Sequence, residues 1–91
     1  MSFKIVISGE LTKNLNVLKQ KDKTTYLILK KKILQIADCN KSSIEHFKNL
    51  RGNLKIYKRV HIGSFVLIFR VVDNTIIFEE FDHHDNIYKI R

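Results

Sequence analysis

The chain has little cysteine, little glycine and no proline: its 91 residues include one cysteine, Cys39, and three glycines. A single cysteine excludes an internal disulfide framework and any zinc site built from cysteine pairs. The glycines are scattered at positions 9, 52 and 63, so the chain has no glycine-rich loop for holding phosphates. Cys39 itself is expected to be a small, partly buried residue at the end of a helix.

Long hydrophobic runs are also missing. No apolar stretch approaches the roughly 18–20 residues that a membrane span requires. Residues 1–9 lack the basic and then apolar layout of a signal peptide. These absences predict a cytoplasmic protein with no membrane partner. A length of 91 residues is typical of one domain, which would span residues 1–91.

What the chain has in excess is positive charge: 17 Lys and Arg against 9 Asp and Glu give a formal net charge of +8. Residues 1–60 hold 14 basic and 4 acidic residues, whereas residues 61–91 hold 3 basic and 5 acidic ones. A small basic domain suits a polyanion or an acidic protein partner. A solvated lysine-rich surface without such a partner explains the composition equally well.

The hydrophobic pattern predicts the element order β-α-α-β-β-β. Apolar residues recur with helical spacing in residues 11–20 and 24–38, and they dominate extended runs at 3–8, 54–62, 65–72 and 75–81. Turns at Gly63-Ser64 and Asp73-Asn74 favour an antiparallel meander of the last three strands. We expect an α+β fold, an antiparallel sheet with a helical hairpin packed on one face. The opposite face would stay open for a ligand, and the tail 82–91 would leave the sheet.

Details of the helices follow from the same pattern. Ser8 or Gly9 is expected to cap the first helix, and residues 40–43 to form a polar break. The buried stripes would consist of Leu11, Leu15 and Leu18 on the first helix, and of Tyr26, Leu29, Ile33 and Ile36 or Ala37 on the second. Three further apolar residues of the second helix widen its apolar face, which makes them a candidate partner surface: Leu27, Ile28 and Leu34.

One strand carries the candidate binding residues. Alternation along residues 54–62 places Lys55, Tyr57, Arg59 and His61 on one face, and Lys58 on the other. A face with cations for phosphates and a ring for base stacking is typical of RNA binding. An ordinary solvated sheet face has the same appearance, so both interpretations stay open.

The histidines and tyrosine of the tail extend this set. RNA cleavage without a metal needs a general base, a cation for the developing phosphorane charge and a general acid. Histidine is the usual acid or base near neutral pH, and arginine binds phosphate in a bidentate manner. His61, His83, His84, Arg59 and Tyr88 supply these groups, although ordinary surface histidines are the alternative. Adjacent residues of an extended chain point in opposite directions, so we expect no metal shared by His83 and His84, and no cofactor.

Three segments resemble motifs of the RelE/ParE superfamily of small bacterial and archaeal toxins. Asn-Leu-Arg-Gly at 49–52 is similar to a family K-L-x-G motif. The segment KRVHIGSFVLIF at 58–69 is similar to Y-R-I-R-I-G-D-Y-R-L-I-Y, and HHDNIY at 83–88 to H-R-x-x-V-Y. Together with the helical hairpin after the first strand, the resemblance covers essentially the whole chain.

The resemblance implies a toxin held inactive by a small RelB-like antitoxin, and in the RelE branch a metal-independent endoribonuclease that cleaves mRNA on the ribosome. It implies phosphate binding by Arg59, acid–base roles for His61 and for His83 or His84, and stacking or proton donation by Tyr88. The surrounding RNA-binding set would be Lys55, Tyr57, Lys58 and Arg70.

The sequence also departs from the family pattern. The family's third-strand arginine falls on Val66, and two further basic positions are occupied by His61 and His84. Arg70 or Lys58 is a candidate to replace the lost charge. The departures favour two alternative functions: a ParE-like gyrase inhibitor, or a degenerate toxin homologue that only binds its antitoxin. Leu27, Ile28 and Leu34 are the candidate antitoxin surface in every case.

Overall fold

The computed structural model describes residues 3–49 and 56–90, without the side chains of residues 88–90. Four strands and four helices lie in this part of the chain. In order they are β1 (Lys4–Ile7), α1 (Gly9–Lys21), α2 (Lys23–Ala37), α3 (Lys41–Ile44), β2 (Tyr57–Ile62), β3 (Phe65–Val72), β4 (Thr75–His83) and α4 (His84–Ile90). The predicted order β-α-α-β-β-β is confirmed, with two short helices added. Within the described ranges, no helix has the length and apolar character that crossing a membrane requires.

The sheet has the strand order β1-β4-β3-β2. The last three strands form the predicted antiparallel meander, with two-residue turns at Gly63-Ser64 and Asp73-Asn74. Gly63 and Asp73 adopt positive φ angles of 61° and 53°, as tight hairpin turns require. β1 joins the other edge in parallel with β4, because the helical hairpin carries the chain away from the sheet between β1 and β2. The sheet is therefore mixed, with one parallel edge.

Short polar side chains set the helix boundaries. The Ser8 hydroxyl accepts a hydrogen bond from the Leu11 amide at 3.0 Å and donates one to the Glu79 carbonyl at 2.6 Å, so the cap also binds α1 to β4. Asp22 separates α1 from α2, and it accepts hydrogen bonds from the Thr25 amide and hydroxyl. The expected polar break at 40–43 is instead the start of α3, because Asn40 and Ser43 form a capping box.

The main core lies between the helical hairpin and one face of the sheet. The helices contribute Leu11 from the first predicted stripe, and Leu29, Ile33 and Ile36 from the second. Leu15 and Leu18 pack against this core half-buried, and Tyr26 is also half-buried. The sheet contributes Leu67 and Phe69 from β3, and Ile76, Phe78 and Phe81 from β4. Edge-to-face contact between Phe47 and Phe69 closes this core beyond α3. The expected packing of both helices on one face is confirmed.

The sequence predicted that the opposite face of the sheet would be open. This prediction is wrong, because part of that face is covered. The tail does not leave the sheet as an extended chain. It forms α4, and Ile87 packs on Val66 and Ile68 in a second, smaller apolar cluster. Val66 and Ile68 are fully buried, and Ile87 is 3% exposed. A seven-residue helix is too short to reveal itself by periodicity, and its stability comes from this single apolar contact.

Candidate functional site

The strand β2 presents the predicted row of side chains beside α4. Tyr57, Arg59 and His61 lie opposite Arg70, Ile68 and Val66 of β3 respectively, which confirms that the three share one face. We call Tyr57, Arg59, His61 and Arg70 the basic face. His61 is exposed, whereas Tyr57 and Arg59 are half-buried. Tyr57 packs against the apolar cluster under α4, so its ring is held in place at one end of the face.

Lys58 is not part of the basic face. It lies opposite Phe69, on the side of the sheet that carries the helices. Its ammonium group donates hydrogen bonds to Asn49 Oδ1 at 2.9 Å and to the Phe47 carbonyl at 3.4 Å. Lys58 therefore lies on the opposite side of the sheet from Arg59 and His61, as alternation predicted, and its side chain fastens the segment before β2. Lys55, the other predicted lysine, lies outside the described residues.

Arg70 lies on the predicted face but has an acidic partner. Its Nε atom lies 2.6 Å from Glu79 Oε2, and both side chains are about one-quarter to one-third exposed. This hydrogen bond raises the pKa of the Arg70 guanidinium, and the negative charge of Glu79 adds to the shift. Arg70 is thus charged, and the carboxylate of Glu79 offsets part of that charge before any ligand arrives.

Glu79 reaches this position because of a β-bulge. Ile68 pairs with Glu80, whereas Phe69 pairs with Phe78, so Glu79 has no partner on β3. The sequence carries a signal for the bulge, because the buried residues Phe78 and Phe81 are three positions apart rather than two. Glu79 and Glu80 line a shallow cleft of about 250 Å³ together with Ser8, Glu10 and Tyr57. The sequence alone did not predict a role for these acidic groups.

His83 and His84 lie where β4 ends and α4 begins. His83 is the strand partner of Phe65, and its ring contacts the Phe65 ring edge-on at a centroid distance of 5.9 Å. Phe65 packs against the main core, and its strand partner His83 therefore lies on the same face of the sheet, the one that carries α1 and α2. His61 lies on the opposite face. The predicted grouping of His61 with His83 on one face is therefore not observed.

His84 is the first residue of α4. Its amide donates to the Ser64 carbonyl at 3.0 Å, which ties the start of α4 to the turn between β2 and β3. His84 and Ile87 are three residues apart in α4 and so share one side of that helix. Asp85 Oδ1 lies 2.9 Å from His84 Nδ1, an arrangement that orients the imidazole and leaves Nε2 available for proton transfer.

The two imidazoles do not point in opposite directions. Their centroids are 4.5 Å apart, with the ring planes inclined by 38°. Opposite directions are expected only in an extended chain, and here the backbone changes from strand to helix between His83 and His84. Among the described residues, His83, His84 and Asp85 form a group whose donor atoms all lie within 4.8 Å of one another.

Two family positions complete the site. Val66, at the position of the family arginine, is fully buried beneath Ile87, so this position contributes no charge to the face. Tyr88 belongs to α4, but its side chain lies outside the described ones. The arrangement offers one arginine for an anion, a ring for stacking, and imidazoles at two separate places for moving protons.

Known proteins resemble this chain over nearly its whole length. No family model matches it. A protein of Methanocaldococcus jannaschii named "Putative toxin RelE4" is 46% identical over 90 residues, which are 96% of this chain and 92% of the relative.

Solved structures share the fold at low sequence identity. The RelBE2 toxin–antitoxin complex of Mycobacterium tuberculosis contains a chain that superposes with a TM-score of 0.66 at 17% identity, over 92% of this chain and 100% of that one. The DinJ-YafQ toxin–antitoxin complex of E. coli gives a TM-score of 0.65 at 19% identity, over 97% of this chain and 99% of that one. By its close archaeal relative and its fold, the chain belongs to the RelE family of toxins, within the RelE/ParE superfamily.

Proposed function

We propose that this chain is the toxin of a toxin–antitoxin pair and that it cleaves mRNA on the ribosome, in the cytoplasm, by metal-independent acid–base chemistry. The observation that carries the proposal is the alignment of Tyr57, Arg59 and His61 on one face of an edge strand. The relative named for a RelE4 toxin supports the class of function. The titles of two structural neighbours name toxin–antitoxin complexes, which supports an antitoxin partner.

The chemistry assigns one task to each group. Arg59 binds the scissile phosphate and offsets the charge that develops on the phosphorane. His61 and His84 exchange protons with the attacking 2′-oxygen and the leaving 5′-oxygen. Tyr57 stacks on a neighbouring base, and Tyr88 either stacks or donates a proton. No step in this scheme requires a metal ion, because side chains supply every proton and the positive charge.

Strand pairing supports the choice of His61 with His84. His61 pairs with Val66, and Val66 pairs with Asp82, so two strand spacings separate His61 from the end of β4. Two spacings amount to roughly 10 Å between backbones, which leaves room for one phosphodiester between the two side chains. His83 lies beside Phe65 and contributes through its contact with His84.

Expression of the chain in growing cells, with primer extension on cellular mRNAs, tests the nuclease. Growth arrest with new 5′ ends inside reading frames is the expected result. Replacing both His83 and His84 with alanine should abolish the arrest and the new ends. The matched control is His46→Ala, because His46 is exposed in the turn after α3. Full toxicity of the double variant would contradict the assignment of the histidines.

Ribosome dependence needs a separate measurement. The purified chain should cleave an mRNA that ribosomes are translating and should leave the same naked mRNA largely intact. Equal cleavage of both substrates would keep the nuclease and overturn the ribosomal part of the proposal.

The antitoxin is proposed to bind the outer surface of the helical hairpin. Leu27, Ile28 and Leu34 of α2 are 48–56% exposed, which confirms the widened apolar face. Lys30 and Lys31 are exposed and lie three or four residues from Leu27 and Leu34, on the same side of the helix. An apolar stripe flanked by lysines suits a small acidic antitoxin with an amphipathic helix.

Substituting this stripe tests the antitoxin site. Leu27→Glu combined with Leu34→Glu should weaken binding of the antitoxin, taken as the product of the adjacent gene, by roughly 100-fold. Val72→Glu is the matched control, since Val72 is 44% exposed at the end of β3. Binding unaffected by the double substitution would place the antitoxin elsewhere. The chain can also be expressed together with the product of the adjacent gene. If it were then harmless but purified alone as a single monodisperse species, a tight heterodimer would be contradicted.

The alternative that a specific observation favours is a toxin homologue without nuclease activity. Val66 is buried at the position where the family carries an arginine. Arg70 is a candidate to replace that arginine, but its guanidinium is paired with the carboxylate of Glu79. The expression experiment separates the alternatives. Arrest with intact mRNA would indicate a protein target such as gyrase, and no arrest would indicate a chain that only binds its antitoxin.

A further inference from the structure

The junction of β4 and α4 brings three metal-binding side chains together. His83 ends the strand, His84 begins the helix, and Asp85 follows in its first turn. One donor atom from each residue lies within 4.8 Å of the other two. All three side chains are accessible from solvent, with exposures of 39%, 43% and 74%.

We propose that His83, His84 and Asp85 bind one divalent transition-metal ion of the zinc, nickel and copper group. His83 Nδ1 lies 3.6 Å from Asp85 Oδ2, and His84 Nδ1 lies 2.9 Å from Asp85 Oδ1. Bonds of roughly 2.0–2.1 Å to zinc separate neighbouring ligands by about 3 Å. All three donor atoms lie within 4.8 Å of one another, so they need to draw together by at most about 2 Å to surround one ion, which rotation of the side chains can supply.

Hydrogen bonds already hold the segment in the shape that the ion requires. Asp82 Oδ1 accepts from the His83 amide at 2.7 Å and from Asn86 Nδ2 at 3.2 Å, which fixes the backbone around the two histidines. The Asp85 amide donates a long hydrogen bond of 3.3 Å to His83 Nδ1. That nitrogen therefore presents a lone pair, and an ion would replace this contact together with the 2.9 Å contact between His84 Nδ1 and Asp85 Oδ1.

The ligand set selects the kind of metal. Two imidazoles and one carboxylate suit zinc, nickel and copper, whereas magnesium and calcium prefer sites made of oxygen ligands. The carboxylates of Asp82 and Asp85 add negative charge to an otherwise basic chain, which favours a dication at this point. Water molecules would complete the coordination sphere, because the site is open on its outer side.

Binding has a consequence that rests on the proposed function. An ion bound to the imidazoles of His83 and His84 would prevent these rings from accepting a proton, so the acid–base groups at this end of the site would be lost. The metal-independent nuclease would then be inhibited by zinc or nickel and restored by a chelator. The same chemistry would make the toxin sensitive to the supply of free transition metal.

Calorimetric titration of zinc into the chain tests the site. The chain must carry no histidine tag, and EDTA followed by buffer exchange removes metal first. One ion per chain is expected for zinc, with no heat for magnesium. His84→Gln, His83→Gln and Asp85→Asn should each remove the saturable binding, whereas His46→Gln should retain it. Far-ultraviolet circular dichroism of each variant shows that loss of binding is not loss of folding.

The outcomes separate the metal site from the nuclease. No saturable zinc binding by the unmodified chain, or equal binding by a chain lacking both His83 and His84, would overturn the site. Zinc binding by a chain that never cleaves mRNA would support the site and overturn the proposed nuclease. Zinc binding that leaves an active nuclease unchanged would support the site and overturn only the inhibition.

Discussion

Glu79 Oε2 lies 2.6 Å from Arg70 Nε and joins the bulge of β4 to the central strand β3. The pair lies on the basic face, beside the half-buried ring of Tyr57, which is the strand partner of Arg70. An RNA phosphate and the Glu79 carboxylate would compete for the same guanidinium. Arg70 is the candidate to replace the family arginine that is missing at Val66, and its ion pair with Glu79 therefore limits its availability to RNA.

Glu79→Gln is expected to strengthen RNA binding because it frees the charge of Arg70. Affinity for single-stranded RNA should rise, and the salt dependence should steepen by about 0.7 in the slope of log K against log [salt], as for one added phosphate contact. Titration of a fluorescent oligonucleotide at several salt concentrations measures both quantities. Glu45→Gln is the matched control, because Glu45 is exposed at the end of α3. An equal gain in both variants would show that only net charge matters.

Val66→Arg is expected to destabilise the protein rather than to restore a family contact. Val66 is fully buried beneath Ile87, so an arginine there must either bury its charge or push α4 away. We expect a lower midpoint of thermal unfolding and faster proteolysis within α4. Val72→Arg adds an arginine to the same face of β3 at an exposed position. It should leave the thermal midpoint and the rate of proteolysis within α4 unchanged. Unaltered stability of Val66→Arg would mean that α4 does not cover this position.

Ile87→Ala tests how α4 is held. Ile87 is the apolar anchor of the second cluster, and truncating a buried isoleucine costs about 2–5 kcal/mol. A seven-residue helix cannot survive on its own, so amide hydrogen exchange in residues 84–90 should accelerate before the rest of the chain unfolds. Val17→Ala, at a half-exposed position of α1, should change nothing. Exchange that accelerates uniformly in all elements would show that α4 unfolds only with the core.

The sequence predicted those parts of the fold that repeat a pattern over many residues. The stripe of Leu29, Ile33 and Ile36 and the continuous apolar run of β3 each involve several buried positions, so single exceptions did not obscure them. The sequence did not predict α4, because Ile87 is the one α4 residue in the second apolar cluster and a single apolar residue gives no periodic pattern. The parallel pairing of β1 with β4 depends on how the chain crosses the sheet, and no local pattern encodes that path.

The candidate site was predictable along β2 and less so elsewhere. Alternation alone placed Tyr57, Arg59 and His61 together, because strand geometry fixes the face of each residue. The relation of His83 to His84 depends on where β4 ends, and element ends are the least certain part of a sequence-based prediction. The ion pair of Arg70 with Glu79 depends on a bulge, which alters the face of every later residue in the strand.

Asp22 makes stability depend on pH at the junction of α1 and α2. Hydrogen bonds from the Thr25 hydroxyl and amide lower the pKa of the Asp22 carboxyl. A carboxyl with a lowered pKa stabilises the folded state above its ordinary value of about 3.9, and that contribution disappears as the pH falls through the lower folded value. Asp22→Ala should therefore lower the thermal midpoint at pH 7, and the difference from the unmodified chain should shrink as the pH falls below the ordinary carboxyl value and through the lower folded one.

Asp38→Ala is the matched control for this prediction, because Asp38 caps the other end of α2. A negative charge near a helix C-terminus opposes the helix dipole, so its removal should leave the midpoint at pH 7 equal or slightly higher. Thermal unfolding followed by circular dichroism at pH 2.5, 4 and 7 measures all three chains. A deficit of Asp22→Ala that stayed constant over this range would mean that the cap acts through its geometry and not through the charge of the carboxylate.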